Sequence, residues 1–592
     1  MRRTRTRRGT LRGLPTLRLK VGFLVIAMLL SIFVARLVQL QGLDPQSYAQ
    51  MAAAEGQVNL VLPAERGDIL DRDGEPLADS VDGLMVVANP TMTADRAPEL
   101  AKFLATRLKV DYFTTLERLR AEDSQFQYIA RQVPASLARS VLDAAEEKEF
   151  EGLDIRDDPV RVYPARDVAA NLVGFLGTPR KSGAAKPLAG FEDSFDTHLA
   201  GTDGEAKYQV GGGNRIPLGD STVTEAVDGK DLQTTIDRDL QWYSQRVLAQ
   251  AVRQYGAESG FAVVQDSRTG EILALPDYPT YDASRPLESP EELFKSSALS
   301  DVYEPGSVQK VLTLSGLIDA GKVTARTKLL IPGTLARDGR VIHDWFPHGL
   351  LKLTLAGVLA KSSNIGTVKA ADEFEPGQLR RYLEAFGLGR RTGVGVGGET
   401  AGLLPSPSMW TGQTEDRIDF GQSLSVNGVQ MAAAVNTIAN GGVRIDPSLI
   451  KGSATMDDGT EVGTDTATRR RVVSAEAARQ TALMMERVLD PEAGVAPGAA
   501  VPGYRVAGKT GTAQRVGDEC GCYDGTFTVS FAGFAPADDP RFTIYVVIQD
   551  PRSGGGGSVA GPVFAKLMSF TLRHYQVPPT NTPPSRLPVE WR

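Results

Sequence analysis

The hydrophobic pattern of this chain changes twice between its two ends. Val21 to Ala35 is a run of 15 residues without a charge, and Leu37, Val38 and Leu40 carry it past Arg36. That is close to the ~20 apolar residues a bilayer-spanning helix needs. From residue 44 to about 230 the runs are short, with strand-like stretches such as Val58 to Leu62 between helical stretches and Gly/Asp turns. From Leu232 they lengthen. Asp237 reads as the cap of a helix running to about Tyr255, with Leu240, Val247, Leu248, Ala251 and Val252 on its apolar face. Gly260 to Asp266 and Glu271 to Leu275 flank Ser267-Arg268-Thr269-Gly270, a hairpin signal. Val308 to Ala320 is helical, repeating Val311, Leu314 and Ile318 at i, i+3 and i+7. Leu353 to Lys361 reads as helix, Thr526 to Ala532 and Arg541 to Ile548 as strands, and the proline-rich stretch Pro578 to Pro588 as extended chain. Helices with an antiparallel sheet predict an α+β fold.

Charge sharpens the reading of the first apolar run. The net charge of −7 hides nine Lys or Arg and no acid in the first 43 residues, which leaves 56 basic against 72 acidic residues beyond them. A basic head on an acidic body argues against a nucleic-acid partner and for a membrane anchor. The competing reading is a cleaved signal peptide, but no small-residue cleavage site follows the run. Arg2, Arg3, Arg5, Arg7, Arg8, Arg12, Arg18 and Lys20 would then stay cytoplasmic and the body would lie outside the membrane. The expected organisation is a basic tail (1–20), a transmembrane anchor (21–41), a first folded unit (44–231), a second (232–576) and a proline-rich tail (577–592). Arg36 inside the span is costly unless it snorkels or faces a partner helix, which points to a membrane-embedded partner. The two cysteines, Cys520 and Cys522, could close only a tight C-x-C ring. His343, Asp344 and His348 are the nearest approach to a metal cluster, but Pro347 puts them in a loop, and no metal is expected.

Three short motifs carry chemistry. In Ser307-Val308-Gln309-Lys310 the serine follows Pro305-Gly306 and starts a helix, so Lys310, one turn on, can reach the serine oxygen. A serine hydroxyl becomes a nucleophile when a base takes its proton, and a lysine serves if burial or nearby cations lower its pKa. Ser362-Ser363-Asn364 ends the stretch Leu353 to Lys361 and offers a hydroxyl relay and an amide for a substrate carbonyl; a plain polar loop explains it equally well alone. Lys509-Thr510-Gly511-Thr512 lies in a strand-like context where a cation and two hydroxyls can bind a carboxylate, and Gly511 lets backbone approach a ligand closely.

Each motif has a mimic. Ser448-Leu449-Ile450-Lys451 fits S-x-x-K, Ser425-Val426-Asn427 fits S-x-N, and Lys181-Ser182-Gly183 fits K-[ST]-G. Order and setting separate them. Lys181 precedes every candidate serine, Ser448 has no helical pattern behind it, and Ser425 reads as the cap of a helix over Gln430 to Ala439.

With these residues the chain resembles the class B penicillin-binding proteins, monofunctional peptidoglycan D,D-transpeptidases. Arg66-Gly67-Asp68-Ile69-Leu70-Asp71-Arg72-Asp73-Gly74 is similar to a box of that family's pedestal domain, although its charges could simply be solvated. Arg161-Val162-Tyr163-Pro164 and Gly190-Phe191-Glu192 resemble further pedestal boxes, and Thr235-Ile236-Asp237 the entry to the catalytic domain. The resemblance implies a transpeptidase fold on an α+β pedestal, with Ser307 as the acylated nucleophile and Lys310 as its base. It implies that Ser362 and Asn364 relay protons and position the stem peptide, that Lys509, Thr510, Gly511 and Thr512 bind the terminal carboxylate or a β-lactam, and that the Ser307 and Thr512 N–H groups form an oxyanion hole.

Phe420-Gly421-Gln422-Ser423-Leu424-Ser425-Val426 and Ala507 to Gln514 resemble the septal branch, although Ser423 stands where that branch often has Gly. The partners implied are stem peptides, β-lactams, a membrane-embedded glycosyltransferase and other division proteins, at the plasma membrane and with no cofactor. Glu192-Asp193-Ser194-Phe195-Asp196-Thr197-His198 resembles a glycan-polymerising box of class A enzymes, but Phe195 comes one residue early, so no glycosyltransferase activity is expected. An elongation-type transpeptidase and a penicillin-binding scaffold or sensor are the alternatives; a hydrolysing β-lactamase is disfavoured by the size and the anchor.

Overall fold

The computed structural model describes residues 15–38, 57–121, 124–177, 185–211, 214–215, 221–517 and 521–592. The mimic Lys181-Ser182-Gly183, Cys520 and the basic residues before Pro15 lie outside the described residues. Helix α1 (Pro15–Val38) contains an 18-residue segment, Leu19–Arg36, of mean hydropathy 2.1, and its side chains make no core with the rest of the protein. It is the one described helix long and apolar enough to cross a membrane.

The first folded unit holds several small sheets. Gly83–Ala88 lies between Gln127–Pro134 and Leu153–Asp157, antiparallel to both. With helices Ala97–Leu108 and Ala135–Glu146 it encloses a separate core around Val86, Leu100, Leu104, Val133 and Val141. Gln57–Leu62 pairs antiparallel with Gly204–Gly211, which also pairs with Ser221–Thr224.

The three boxes read in this unit converge on one carboxylate. Glu192, fully buried, accepts from Arg66 Nε at 2.7 Å and Arg161 Nε at 2.7 Å, with Tyr163 Oη at 3.3 Å. Arg66 also reaches Asp196 at 2.6 Å. The expectation that the box charges could simply be solvated is therefore corrected for Arg66: it is a partner in a buried ion network, where removing one member leaves the others uncompensated. Glu192 is likewise committed to two guanidinium groups. Asp71 Oδ1 accepts from the N–H groups of Asp73 and Glu75, forming the turn read at Asp73-Gly74.

The two units are stitched together. Ile69–Leu70 pairs in parallel with Leu232–Gln233. Arg72 donates to Tyr575 Oη at 2.6 Å, and that hydroxyl donates to Asp237 Oδ2 at 2.7 Å. Ile69, Leu77, Phe191 and Phe195 belong to the same continuous hydrophobic core as the second unit.

That second unit is a sheet between helical layers. Its main elements are α2 (Arg238–Tyr255), β1 (Ser259–Asp266), β2 (Ile272–Ala274), α3 (Lys310–Asp319), α4 (Leu355–Ala360), α5 (Asn364–Ala371), α6 (Gly428–Ala439), β3 (Ala507–Val516), β4 (Tyr523–Ala535), β5 (Phe542–Gln549) and α7 (Ala560–His574). The sheet order is β2-β1-β5-β4-β3, antiparallel throughout. Successive strand residues face opposite layers. A Cβ on Gly260 would sit 3.3 Å from Leu248 of α2, while Gly428 of α6 lies against the ring of Phe261. Helices α2 and α7 cover one face together, with the rings of Tyr243 and Phe570 stacked at 3.9 Å. Every residue of β5 is buried, which explains its continuous rather than alternating apolar pattern. Asp237 caps α2 through its side chain to the Leu240 N–H, as read from sequence.

Two helix boundaries differ from expectation. Leu353 is in a short strand (Leu351–Thr354), because the β-branched Thr354 with its hydroxyl on the Gly357 N–H is a better cap than helix interior. Helix α6 is capped by Asn427, not Ser425: Asn427 and Gln430 form a reciprocal capping box, and Ser425 pairs with Leu403 through its backbone.

Candidate active site

Ser307 does not open an α-helix directly. A 3₁₀ turn, Gly306–Gln309, precedes α3, and Lys310 is the first α-helical residue. In a 3₁₀ turn side chains three apart eclipse, which brings Lys310 Nζ to 3.0 Å from Ser307 Oγ. The turn is pressed against β3. Gly306 has φ +54°, and a Cβ there would stand 2.8 Å from the Thr512 carbonyl oxygen. On the strand side, a Cβ on Gly511 would meet Ser530 Oγ at 2.2 Å and the Pro305 oxygen at 3.0 Å. The bare backbone of Gly511 therefore admits the protein's own serine-bearing turn, where the sequence reading had a ligand in view.

Lys310 is fully buried, and its amine lies within 2.8 Å of the Ser362 carbonyl oxygen, 2.7 Å of Asn364 Oδ1, 3.0 Å of Ser307 Oγ and 3.3 Å of Ser362 Oγ. The two shortest bonds go to oxygens that can only accept. A neutral amine has two N–H groups, which these oxygens consume, and one lone pair, which is left facing Ser307. Burial pushes Lys310 down to about 7, with Asp344 pulling the other way. The arrangement can take a proton from Ser307.

Ser362 and Asn364 are not the end of a helix but straddle the start of one. Helix α4 stops at Ala360, Ser362 adopts φ +58°, and Ser363 caps α5, whose first residue is Asn364. The reason is Ser363, whose hydroxyl accepts the Gly366 N–H at 2.8 Å. Sequence reading passed over it as the variable middle residue, and its Ser-x-x-Gly setting was the available signal. Non-glycine residues at positive φ are strained by roughly 1–3 kcal/mol and cluster at functional sites. Here the strained turn aims the Ser362 hydroxyl between two amines.

The second amine is Lys509 of β3, also fully buried. Its Nζ donates to Ser362 Oγ at 2.9 Å, Thr510 Oγ1 at 2.9 Å and the Thr510 carbonyl at 3.1 Å. Among the described residues neither lysine has a carboxylate at ion-pair distance. Burial, and then repulsion from Lys310, hold Lys509 well below the usual lysine range. The exposed Thr512 donates to the Gly511 carbonyl at 2.9 Å, and its hydroxyl lies 3.4 Å from the Gly556 N–H. Ser307, Lys310, Ser362, Asn364, Lys509, Thr510, Gly511 and Thr512 thus come together across the fold.

The mimic at Ser448 comes apart: its buried hydroxyl donates to the Ile450 carbonyl, while Lys451 Nζ reaches the Arg72 carbonyl. No group of metal-binding side chains occurs among the described residues. Pro332 to Thr334 and His343 to Leu350 line an open cavity of about 680 Å³ beside Asn364, whose Nδ2 donates to the His343 carbonyl at 3.0 Å.

Comparison with known proteins accounts for both units. Residues 260–569 match the penicillin binding protein transpeptidase domain, and residues 61–234 the penicillin-binding protein dimerisation domain. The chain is 36% identical to penicillin-binding protein PbpB of Mycolicibacterium smegmatis over 96% of this chain and 92% of that one. It is 32% identical to peptidoglycan D,D-transpeptidase FtsI of Escherichia coli over 94% and 91%. A crystal structure of penicillin binding protein 3 from Mycobacterium tuberculosis, complexed with aztreonam, superposes with a TM-score of 0.69 at 31% identity, covering 90% of this chain and all of that one.

Proposed function

The chain belongs to the class B penicillin-binding proteins, and on that premise we propose that Ser307 is the residue its D,D-transpeptidase chemistry acylates. The observation that carries this reading is the lone-pair geometry: a buried Lys310 whose N–H groups are directed to two carbonyl oxygens while Ser307 Oγ stands 3.0 Å away. Ser307 attacks the penultimate D-Ala carbonyl of a stem peptide, and Lys310 takes the serine proton. The negative oxygen is received by the Ser307 and Thr512 N–H groups. Terminal D-Ala departs with a proton relayed through Ser362, and an amine from a neighbouring stem then resolves the acyl-enzyme. Lys509, Thr510 and Thr512 hold the substrate's terminal carboxylate, for which a desolvated ammonium flanked by hydroxyls is suited. Gly511 keeps the strand close to the serine turn. A β-lactam is attacked in the same way and stays bound.

The kinship with FtsI and PbpB supports a role in division, and α1 supports a single membrane pass with the basic N-terminus in the cytoplasm and the body outside. Residues 44–231 then serve as a pedestal and 232–576 as the catalytic unit. A membrane-embedded glycosyltransferase and other division proteins are the partners this placement calls for.

The test is labelling of the full-length chain with a fluorescent penicillin, followed by D-Ala exchange on a thioester substrate. Labelling should vanish in Ser307→Ala and persist in Ser448→Ala. Labelling that survives Ser307→Ala would overturn the site, and acylation without any exchange would favour a sensor.

A further inference from the structure

Asn364 meets Lys310 from the first residue of α5, so whatever fixes that helix start also fixes the base. The fixing group is a carboxylate that none of the three motifs contains. Asp344, with its side chain fully buried, accepts from Ser363 Oγ at 2.6 Å and from the Ile365 N–H at 3.0 Å, and Asn364 Nδ2 reaches back to the carbonyl of the preceding residue, His343, at 3.0 Å. The residues on either side of Asn364 are thus tied to one carboxylate while its own amide is tied to the same loop. Ser363 completes the connection: its one proton goes to Asp344, and its oxygen accepts the Gly366 N–H.

A second residue holds the carboxylate. His348 Nε2 lies 3.0 Å from Asp344 Oδ2, and its Nδ1 lies 2.6 Å from the Gly349 carbonyl, in a side chain only 4% exposed. Both ring nitrogens face acceptors. The Nε2–H tautomer donates to the carboxylate and holds it toward α5.

We infer that Asp344 and His348 form a buried hydrogen-bonded pair that positions Asn364 on Lys310, and that Asp344 sets the charge the base experiences. Neither is a catalytic residue: both act through Ser363, Asn364 and the field at Lys310. The titratable groups facing Lys310 are Asp344 from the loop and Lys509 from β3; the group facing Asp344 besides Lys310 is His348. The Asp344 anion favours a charged Lys310, while His348 acts by holding that anion in place. Asp344 therefore acts on the charge of the base as well as on its position, which a purely structural contact would not.

This inference rests on the acylation reading above, and the test keeps the two separable. The second-order rate of acylation by a fluorescent penicillin is measured from pH 5 to 9 on the full-length wild type, Asp344→Asn, His348→Ala and the double variant, with Ser307→Ala as blank. Asp344→Asn should lower the plateau about tenfold to a hundredfold, in the acylation step rather than in ligand affinity, as for other supporting groups of reactive residues. Its acidic limb should move to lower pH; His348→Ala should lower the plateau through the loosened carboxylate, and the double variant should follow Asp344→Asn. Equal limbs in wild type and Asp344→Asn, or an unchanged plateau in His348→Ala, overturn the inference. If Asp344→Asn does not fold, the plateau of His348→Ala decides alone. A wild type labelled elsewhere than Ser307 refutes the underlying function instead.

Discussion

Acidifying the medium should switch off acylation through Lys310 in a way the structure quantifies. A lysine at its ordinary value near ~10.4 would be neutral in roughly one molecule in 2,500 at pH 7. Burial holds Lys310 at about 7, so half of the molecules carry the free amine at that pH. The gain in competent enzyme is roughly a thousandfold, the size expected of a well-placed general base. The sign follows: the rate should be level above about pH 8, half-maximal near 7, and fall tenfold per unit below about 6. The assay is stopped-flow acylation of the full-length chain by a chromogenic β-lactam across pH 5 to 9, repeated with an ester analogue lacking the carboxylate so that Lys509 does not contribute. Lys310→Arg, which keeps the charge but cannot lose it, should be slower by about 10² to 10⁴ on the plateau above pH 8 and should lack the acidic limb. A rate that is flat from pH 5 to 8, or a limb centred above 9, would mean that Lys310 stays charged and that another group takes the serine proton.

The fully buried Glu192 balances Arg66 and Arg161, so Glu192→Ala should destabilise the protein by about 3–5 kcal/mol; a loss under 1 kcal/mol in denaturant unfolding would contradict the buried network. Ser362→Ala and Ser362→Gly both remove the hydroxyl between the amines and should both slow acylation. Only glycine takes φ +58° without strain, so the glycine variant should be the more stable of the two by about 1 kcal/mol; equal melting temperatures would remove strain from the account. Lys310 and Lys509 are depressed in the folded state, so the unfolded chain binds more protons between about pH 7 and 10 and stability should rise with pH there. That slope, followed by thermal melting, should be shallower in Lys509→Met, and an unchanged slope would show that Lys509 remains charged. Binding of a carboxylate ligand to Ser307→Ala at pH 8 should take up a fraction of a proton, seen as calorimetric heats that vary with buffer, whereas a neutral ester should not.

Much of the fold was legible because its signals are local. The Asp237 cap, the hairpin around Ser267 and the continuous apolar run of β5 each specify their own element. The Ser307–Lys310 contact was legible for the same reason, since three-residue spacing on a helical turn needs no tertiary information. What sequence left open is what tertiary contact decides. The Ser-x-Asn start of α5 was read as a helix end because the preceding apolar run ends at Ala360, and only the fold brings Asp344 to Ser363. The cap of α6 moved from Ser425 to Asn427 because the Gln430 side chain closes the box only at the right distance. Arg66 and Glu192 are 126 positions apart, and nothing local marks a charged residue as buried.

The two buried lysines also explain each other. On the proposed assignment Lys310 must be neutral to take a proton and Lys509 must be charged to hold a carboxylate, yet burial disfavours charge on both. Ser362 Oγ bonds to both amines, so each senses the other through one hydroxyl as well as through space. In the free enzyme a proton on either lysine repels one on the other, and neither has a carboxylate partner among the described residues. A ligand carboxylate at Lys509 supplies that counter-charge and draws the proton there. A charged Lys509 in turn makes a charged Lys310 less favourable, although the ligand anion offsets part of that effect from farther away. The free base is then most available when a carboxylate-bearing substrate occupies the strand. A site built this way discriminates at the proton transfer itself: a ligand lacking the carboxylate loses an ionic contact and also meets a less basic form of the enzyme population. That ties the K-T-G strand to the nucleophile through charge, and it gives a physical reason for placing two lysines on one serine hydroxyl where a single cation would have been easier to bury.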